Sequence, residues 1–376
     1  MSLKYVQINA YSGGWAENII FRKHYQLQSQ GVESYVIWAR GSHQEDEYMI
    51  KIGSFAEVCF DAFQTRIDGK ASFHSRHNTR RLLNKLDEIN PDIIHLHVLL
   101  GYYLNLPMLF DWLSRQNCKI LWTLHDAWVL TGHCIHFDYI GCEQWKNGCA
   151  QHEQCPQKRE YPETFLGGDF SVRWCYSAKK SLITSIPKER LSFISPSKWL
   201  AKLVQQSYLG AYSIKVIPNT VNPEIFRPTP STFREDYSVG NRVMILGVAS
   251  KWSEKKGLNS FIELYNSLDP KQFVIVLVGL TKKQIKRLPS DLIALEKTRT
   301  IEELVEIYSA ADIFFNPTLE DNYPTVNLEA EACGTPVYTF NTGGCCETIK
   351  RSDSCLVENL ASFINRLQCI AEAKQR

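Results

Sequence analysis

The chain of 376 residues contains no run of about 18 apolar residues, the length that a membrane-spanning helix needs. Its first residues enter a strand-like pattern without the apolar segment of a secretory signal peptide. The net charge is only +2, which argues against a dedicated nucleic-acid-binding protein. The sequence also shows no internal repeat and no low-complexity tract. We therefore expect a soluble cytoplasmic protein.

Twelve cysteines in a chain without a signal peptide indicate a reducing compartment and mostly free thiols. Four of them, Cys134, Cys142, Cys149 and Cys155, lie in one loop-like stretch. Four thiolates can hold a structural zinc ion, but the spacings of seven, six and five intervening residues match known zinc patterns poorly. Three interpretations therefore stay open: a structural zinc site, free thiols that order a substrate loop, and a disulfide.

Short apolar runs alternate with helix-like patterns, which is typical of parallel sheets covered by helices on both faces. Four prolines between residues 218 and 236 fall in a stretch without clear periodicity, as expected of a link between domains. We predict an α/β protein with two doubly wound, Rossmann-like domains, 1–220 and 221–355, that face a central cleft. The segment 356–376 is predicted as a helix that packs back on the first domain.

The most informative stretch places the carboxylates of Asp321 and Glu329 on either side of seven residues that turn from a loop into a helix. Pro324 and Thr325 suit the first helical turn, and Gly334-Thr335-Pro336 ends the helix. The free backbone N–H groups and the helix dipole of that turn favour a phosphate. Two carboxylates beside it are suited to grip the hydroxyls of a sugar and a ribose. The pattern therefore predicts a nucleotide-sugar site.

Two further motifs follow predicted strands. Gly13 and Gly14 open a helix after the first strand, where glycine lets the backbone approach a diphosphate or a sugar. An ordinary strand-to-helix turn is the alternative. Lys251 and Lys256 lie beyond a strand at 242–248, where a cation can neutralise charge on a departing diphosphate. Their alternative is a solvated basic turn.

Histidines also follow predicted strands. His125, in the sequence His125-Asp126-Ala127-Trp128, can face a cleft and donate to a substrate hydroxyl. His95 and His97 share one face of a strand, so they cannot both reach its end. For at least one of them we expect a histidine that is satisfied within the fold, and the same alternative stays open for His125.

Together these motifs resemble the retaining glycosyltransferases of family four, which have a GT-B fold. In the second half the resemblance runs through Val216-Ile-Pro-Asn-Thr-Val, Lys251 to Gly257, Glu303 to Asp312, Asn316-Pro-Thr, Asp321 to Pro336 and Gly343-Gly344 to Glu347. The first half is similar to a bacterial subgroup that makes exopolysaccharide, colanic acid, capsule or O-antigen. That similarity lies in Ser12-Gly-Gly14, Pro91 to His97, Trp122 to Trp128, Thr131 to Cys134 and the cysteine segment through Pro156.

The resemblance implies a role for each matching residue. The catalytic residues would be His125, Asp321 and Lys256. The donor-binding residues would be Gly13, Gly14, Lys251, Lys256, Asn322, Tyr323, Pro324, Thr325 and Glu329, with the ribose on Glu329 and the sugar on Asp321. The acceptor side would contain His97, Asp126 and Trp128.

Two positions depart from the family pattern. Asp321 stands where the family usually has Glu, and the neighbouring Glu320 is a substitute that the spacing favours less. Lys251 stands where the family usually has Arg, so the bidentate fork of a guanidinium is lost. Both departures concern the donor more than the class of reaction.

The resemblance implies transfer of a sugar, with retention, from a uridine or guanosine diphosphate sugar to a glycan or lipid-linked oligosaccharide in bacterial surface polysaccharide biosynthesis. It implies no divalent metal for the chemistry, and the sequence has no Asp-x-Asp motif. The alternatives are a non-catalytic nucleotide-sugar-binding protein and a GT-B nucleotide-sugar epimerase.

A basic segment at 66–85 carries six lysines and arginines. Such a surface can meet anionic lipid or a lipid-linked diphosphate, which would place the protein peripherally on the inner face of the cell membrane. A solvated helix face is the alternative.

Overall fold

The computed structural model describes residues 2–14, 17–160 and 163–375. The chain forms two compact units, Met1–Pro218 and Asn219–Arg376. Each unit is one parallel sheet with helices packed against it.

The sheet of the first unit has seven strands in the order β3-β2-β1-β4-β5-β6-β7, and neighbouring strands are parallel. The strands are β1 Lys4–Tyr11, β2 Glu33–Arg40, β3 Met49–Lys51, β4 Ile93–Leu96, β5 Lys119–Thr123, β6 Leu191–Ser195 and β7 Ser213–Val216. Strands β1 and β4 are almost wholly buried, as expected of a sheet covered on both faces.

The helices of this unit follow local capping and amphipathic signals. Ser54 and Glu57 form a capping box at the start of α2, and Gly69, with φ of 75°, ends that helix. The helices are α1 Arg22–Ser29, preceded by a π-helical turn Glu17–Phe21, α2 Phe55–Asp68, α3 Arg76–Ile89, α4 Leu106–Arg115, α5 Asp169–Thr184 and α6 Lys198–Gln206. Between β5 and α5 the chain forms 3-10 turns at Trp128–Leu130, Asp138–Ile140 and Gln144–Lys146.

The sheet of the second unit has six parallel strands in the order β10-β9-β8-β11-β12-β13. The strands are β8 Val243–Val248, β9 Phe273–Val278, β10 Ile293–Leu295, β11 Ile313–Asn316, β12 Val337–Phe340 and β13 Cys355–Val357. The helices are α7 Phe233–Asp236, α8 Leu258–Ser267, α9 Lys282–Ile285, α10 Ile301–Ala310, α11 Thr325–Ala332 and α12 Leu360–Gln375, with a 3-10 turn at Cys345–Thr348.

Both sheets reverse their strand order beside their first strand. The reversal lies between β1 and β4 in the first unit and between β8 and β11 in the second. In sheets of this kind the connections leave such a point on opposite faces, so the turns after the two strands flank a crevice. A ligand-binding site is therefore expected at the turns after β1, β4, β8 and β11.

The C-terminal helix corrects one prediction. We expected the segment 356–376 to pack back on the first domain, but the buried residues of α12 belong to the core of the second unit. The ring of Phe363 stacks on Phe315 of β11 at 3.9 Å between centroids, and Leu367 is fully buried. An amphipathic helix shows which face is apolar but not which core receives it. Arg376 lies outside the described residues.

The predicted α/β fold with two doubly wound domains is confirmed by the two sheets. Within the described ranges, no helix combines the length and the apolarity that crossing a bilayer requires.

Candidate functional site

Lys256 and Asp321 meet at the strand reversal of the second unit. Lys256 lies on the turn after β8, and this turn packs tightly on the chain that leaves β11. Gly257 has φ of 80°, and a Cβ at that position would lie 2.4 Å from Cγ of Pro317. The backbone N–H of Leu319 donates to the carbonyl of Lys255 at 2.8 Å. These contacts bring the lysine to the segment that carries the first carboxylate.

Nζ of Lys256 donates to Oδ2 of Asp321 at 2.5 Å, and the two side chains form an ion pair. Both side chains keep partial contact with solvent, at 32% and 19% exposure. Burial lowers the pKa of Lys256, but the charge of Asp321 and the hydrogen bond to it outweigh burial and raise that pKa. Lys256 is therefore a cation at neutral pH, in direct contact with the predicted sugar-binding carboxylate.

The loop at Asp321 is held by a second close backbone approach. Gly343 has φ of 55°, and a Cβ there would lie 2.2 Å from the carbonyl oxygen of Asp321. The N–H of Gly344 donates to that same oxygen at 2.9 Å. Any side chain at position 343 would displace this loop, which explains the glycine pair of the sequence motif.

Glu329, the second predicted carboxylate, lies on α11 and is almost fully buried. The hydroxyl of Tyr308 on α10 donates to its Oε2 at 3.0 Å. Burial raises the pKa of Glu329, and the hydrogen bonds from Tyr308 and Thr325 partly offset this rise. One carboxylate oxygen is thus fixed by a phenol, which orients the group.

A buried polar network that the sequence did not reveal fixes α11. The amide of Asn316 at the end of β11 donates to Asn327 at 2.8 Å, and the amide of Asn327 donates to Thr348 at 2.8 Å. Tyr308 was recognised only as part of a matching motif, and Asn327 was not singled out. Their roles depend on contacts 11 to 21 residues apart in sequence, which no local pattern encodes.

The other predicted donor residues lie close by in the chain. Pro324 caps α11 and Thr325 begins it, as predicted. Asn322 and Tyr323 are buried, and the hydroxyl of Tyr323 donates to the carbonyl of Glu347 at 3.3 Å. Lys251 is exposed on the same turn as Lys256. The donor-binding roles of these residues stay predictions.

The strand reversal of the first unit carries the other predicted loop. Gly13 and Gly14 follow β1, and the N–H of the preceding Ser12 donates to Arg40 at 2.9 Å. Oδ1 of Asn9, on β1, accepts the N–H of Val98 at 3.1 Å, which links β1 to the turn after β4. Gly13 and Gly14 therefore flank a crevice position, and a role in diphosphate binding remains a prediction for them.

Three histidines form a row at the ends of β4 and β5. His95 is satisfied, because Tyr5 and Thr123 hydrogen-bond its two ring nitrogens at 2.7 Å each. Nδ1 of His97 and Nε2 of His125 are 3.1 Å apart. This arrangement matches the expectation that one histidine of the pair on β4 serves the fold while the other lies nearer the strand end.

Burial keeps the histidine row neutral. It lowers the pKa of His95 and of His125 to about 3, and it lowers that of His97 well below its usual range. Nε2 of His97 is buried without a hydrogen-bond partner among the described residues. His97 and His125 line a narrow pocket together with Leu124, Asp126 and Trp128. The pocket thus contains a neutral imidazole with an unused nitrogen.

Trp128 links this pocket to a buried lysine. Oδ1 of Asp126 accepts the N–H of Trp128 at 2.9 Å. Nζ of Lys179 on α5 donates to the carbonyl of Trp128 at 2.6 Å and lies 3.9 Å from the centre of its ring. Burial lowers the pKa of Lys179 to about 8. Trp128 is itself buried, so its indole supports the pocket wall.

The cysteine stretch folds into a cluster whose membership differs from the predicted one. His133, Cys134 and Cys155 are buried, and their ligand atoms lie within 4.8 Å of one another. Cys142 and Cys149 line the same small cavity, but they fall outside this tightest group. The prediction had named four cysteines, and the structure adds His133 to them.

The chain is similar to known proteins over part of its length. Residues 241–372 match the family model described as Glycosyl transferases group 1. The second unit is thus similar to glycosyltransferases of group 1 along most of its length. A putative colanic acid biosynthesis glycosyl transferase of Escherichia coli K12, WcaC, is 27% identical over 221 residues, which cover 56% of this chain and 52% of that protein. The chain thus spans about half the length of the curated relatives that it matches.

Solved structures share the fold of the whole chain. Sucrose-phosphate synthase from Thermosynechococcus elongatus has a TM-score of 0.69 at 16% identity and covers 99% of this chain and 90% of its own. HepE of Anabaena, solved in complex with UDP and glucose, has a TM-score of 0.62 at 14% identity, with 99% and 91% covered. The GT-B fold and the resemblance to glycosyltransferases of family four are confirmed.

Because His95 is buried as a neutral imidazole, we predict that the free energy of unfolding falls in acid. Its pKa is about 3 in the folded protein and about 6.5 in an unfolded chain, so the unfolded chain takes up the proton first as the pH falls below 6.5. Stability is therefore full above pH 6.5, and between pH 7 and pH 5 it falls by roughly 2 kcal/mol for this group. Urea unfolding of the whole protein at both pH values should show a smaller fall in the free energy of unfolding for His95→Gln than for the wild type. The exposed His152→Gln should behave as wild type, and an equal fall in all three proteins would contradict the assignment.

Proposed function

We propose that this protein is a retaining glycosyltransferase that moves a sugar from a uridine or guanosine diphosphate sugar to a glycan acceptor in the assembly of a bacterial surface polysaccharide. The observation that carries the proposal is the contact of Lys256 with Asp321 at the strand reversal, beside the start of the helix that carries Glu329. The family of the second unit, the named role of the E. coli relative and the UDP and glucose complex of HepE support it.

The order of the charged groups in the second unit supports a donor site there. The diphosphate would lie against Lys256 and the free N–H groups at the start of α11, where a cation and a helix dipole both favour an anion. Asp321 would accept hydrogen bonds from hydroxyls of the sugar. Glu329, oriented by Tyr308, would accept hydrogen bonds from hydroxyls of the ribose.

The proposed chemistry is the one that the resemblance to retaining glycosyltransferases implies. The bond from the anomeric carbon to the diphosphate breaks, and a bond to the acceptor oxygen forms on the same face. The departing phosphate oxygen takes the proton of the acceptor hydroxyl, so no protein nucleophile is required. Lys256 stabilises the negative charge that develops on the leaving group. His125, as a neutral imidazole, would position hydroxyls by hydrogen bonds near the transferred sugar.

Replacement of Lys256 tests the reaction directly. We expect Lys256→Met to reduce the release of nucleoside diphosphate from the donor by about 100-fold or more, because it removes the cation that stabilises the leaving group. The exposed Lys283→Ala, in the same unit, is the matched control. Release is measured with purified protein, a panel of uridine and guanosine diphosphate sugars and a lipid extract as acceptor.

The same assay separates the alternatives. An epimerase would convert the donor sugar to an isomer that retains its nucleotide, and a binding protein would show a donor-induced thermal shift without turnover. Either result with the wild-type protein would overturn the proposal. Unchanged turnover in Lys256→Met would overturn the role of the lysine.

The ribose assignment has its own test. Tyr308→Phe removes the donor that fixes Glu329, and we expect the affinity for the nucleoside diphosphate to fall about 10-fold or more. Calorimetry should also show that the wild-type protein prefers the ribose form over its 2′,3′-dideoxy analogue, whereas Glu329→Gln loses much of this preference. Tyr265→Phe, on α8, is the control. A dideoxy analogue that binds the wild type as tightly as the ribose form would contradict the assignment.

We also propose peripheral contact of the first unit with anionic lipid, which would supply a lipid-linked acceptor. Phe60 and Phe63 of α2 are more than half exposed. The N–H of Phe165 donates to the carbonyl of Arg66 at 2.7 Å, which places the exposed Phe165 and Leu166 beside the end of α2. Aromatic rings beside exposed arginine match the interface of an anionic membrane better than bulk water.

Vesicle sedimentation tests this contact. The wild-type protein should bind vesicles that contain phosphatidylglycerol, and increasing salt should weaken binding. The double substitution Phe63→Ala and Phe165→Ala should reduce binding several-fold, whereas Leu356→Ala, an exposed position of the second unit, should not. Equal binding to neutral and anionic vesicles, or an unaffected double variant, would refute the proposal.

A further inference from the structure

The strongest group of side chains outside the proposed donor site is the cluster of His133, Cys134 and Cys155. All three residues are buried, and one ligand atom from each lies within 4.8 Å of the others. They belong to the segment between β5 and α5, where the regular structure of the described residues is limited to short 3-10 turns. A long segment with so little regular structure needs another source of order.

The separation of the ligand atoms fits a tetrahedral metal ion. Zinc binds a thiolate at about 2.3 Å and an imidazole nitrogen at about 2.05 Å, which requires the two ligand atoms to be about 3.6 Å apart. Sγ of Cys155 lies 3.5 Å from Nε2 of His133. Small movements of the third ligand atom, Sγ of Cys134, would complete three corners of a tetrahedron.

Cys149 is the best candidate for the fourth corner. It is as buried as Cys134 and Cys155, at 7% exposure, whereas Cys142 is only partly buried. Its sulfur accepts the N–H of Gly132, the residue before His133, at 3.2 Å. Hydrogen bonds from backbone amides to sulfur are typical supports of metal-bound thiolates. All four residues line one small cavity.

Lys179 supplies the charge that such a site needs. A zinc ion with three thiolates and a neutral imidazole carries one net negative charge, and a buried negative charge needs a partner. Lys179 is 1% exposed. Its amine donates to the carbonyl of Trp128 at 2.6 Å, in the segment that carries the cluster. A thiolate–zinc site in that segment would supply a negative charge to balance this buried amine.

We propose that His133, Cys134, Cys149 and Cys155 bind a structural zinc ion, with Lys179 as the buried counter-charge. The site ties the segment after β5 to α5. The hydroxyl of Thr131 donates to the carbonyl of Cys134 at 2.7 Å, and Lys179 holds Trp128, so the metal stabilises the wall of the pocket that contains His97 and His125. Its role is structural, because four protein ligands leave no position for a substrate.

Elemental analysis of the full chain, purified with a streptavidin-binding tag and without added zinc, tests the site. We expect about one zinc ion per chain in the wild type and less than a tenth of that in Cys134→Ser with Cys155→Ser. Cys118→Ser, at another buried cysteine of the same unit, and Cys142→Ser should retain full zinc. Loss in Cys142→Ser with retention in Cys149→Ser would overturn the choice of the fourth ligand.

The wild-type protein gives a second test that does not depend on the folding of variants. Protein produced with cobalt in place of zinc should show the absorption of a tetrahedral cobalt–thiolate centre, and zinc removal should lower the melting temperature. Lys179→Met should lose zinc to a chelator at least several-fold faster than wild type. The proposal would be overturned if the wild-type protein contained less than a tenth of a zinc ion per chain. This holds whether the thiols of the cluster are then free to react with an alkylating reagent or are joined in a disulfide.

Discussion

The reversal of strand order is the constraint on which both candidate sites depend. Neighbouring parallel strands whose connections leave on opposite faces open a crevice at their carboxyl ends, and no side chain is needed to create it. In the second unit this crevice lies between β8 and β11, and the chain fills its rim with Lys256 from one turn and Asp321 from the other. Gly257 lets these two turns approach backbone to backbone, and Gly343, after β12, lets a third turn approach the loop of Asp321. The two charged side chains therefore lie at a position that topology supplies.

The ion pair of Lys256 with Asp321 holds two groups that a ligand could use. The opposite charges lie at the rim of a crevice, and their partial exposure to solvent screens the attraction between them. A diphosphate offers the lysine more negative charge than one carboxylate, and sugar hydroxyls offer the carboxylate new donors. A nucleotide sugar would therefore offer new partners to Lys256 and Asp321 at once, whereas a free sugar or a simple phosphate would offer a partner to only one of them. The pair would favour ligands that carry both groups.

Patterns within about ten residues predicted much of this structure, and contacts between distant elements were beyond them. Pro324 and Thr325 signalled the start of α11, and the spacing of Asp321 and Glu329 predicted a nucleotide-sugar site beside it. The predicted packing of α12 was wrong, because the sequence shows which face of the helix is apolar but does not show which core receives it. The bond from Tyr308 to Glu329 joins two helices, and the inclusion of His133 in the cysteine cluster depends on how an irregular loop folds. Such contacts depend on tertiary packing, which local periodicity does not encode.

The two units use charge in different ways. Burial makes the histidine row of the first unit neutral, so it can donate and accept hydrogen bonds but cannot stabilise a leaving group electrostatically. Lys179 of that unit is buried and donates to the carbonyl of Trp128. In the proposed reaction Lys256 of the second unit supplies the cation at the leaving group. The first unit would contribute orientation through neutral groups, which suits an acceptor that has hydroxyls and no charge at its reacting end.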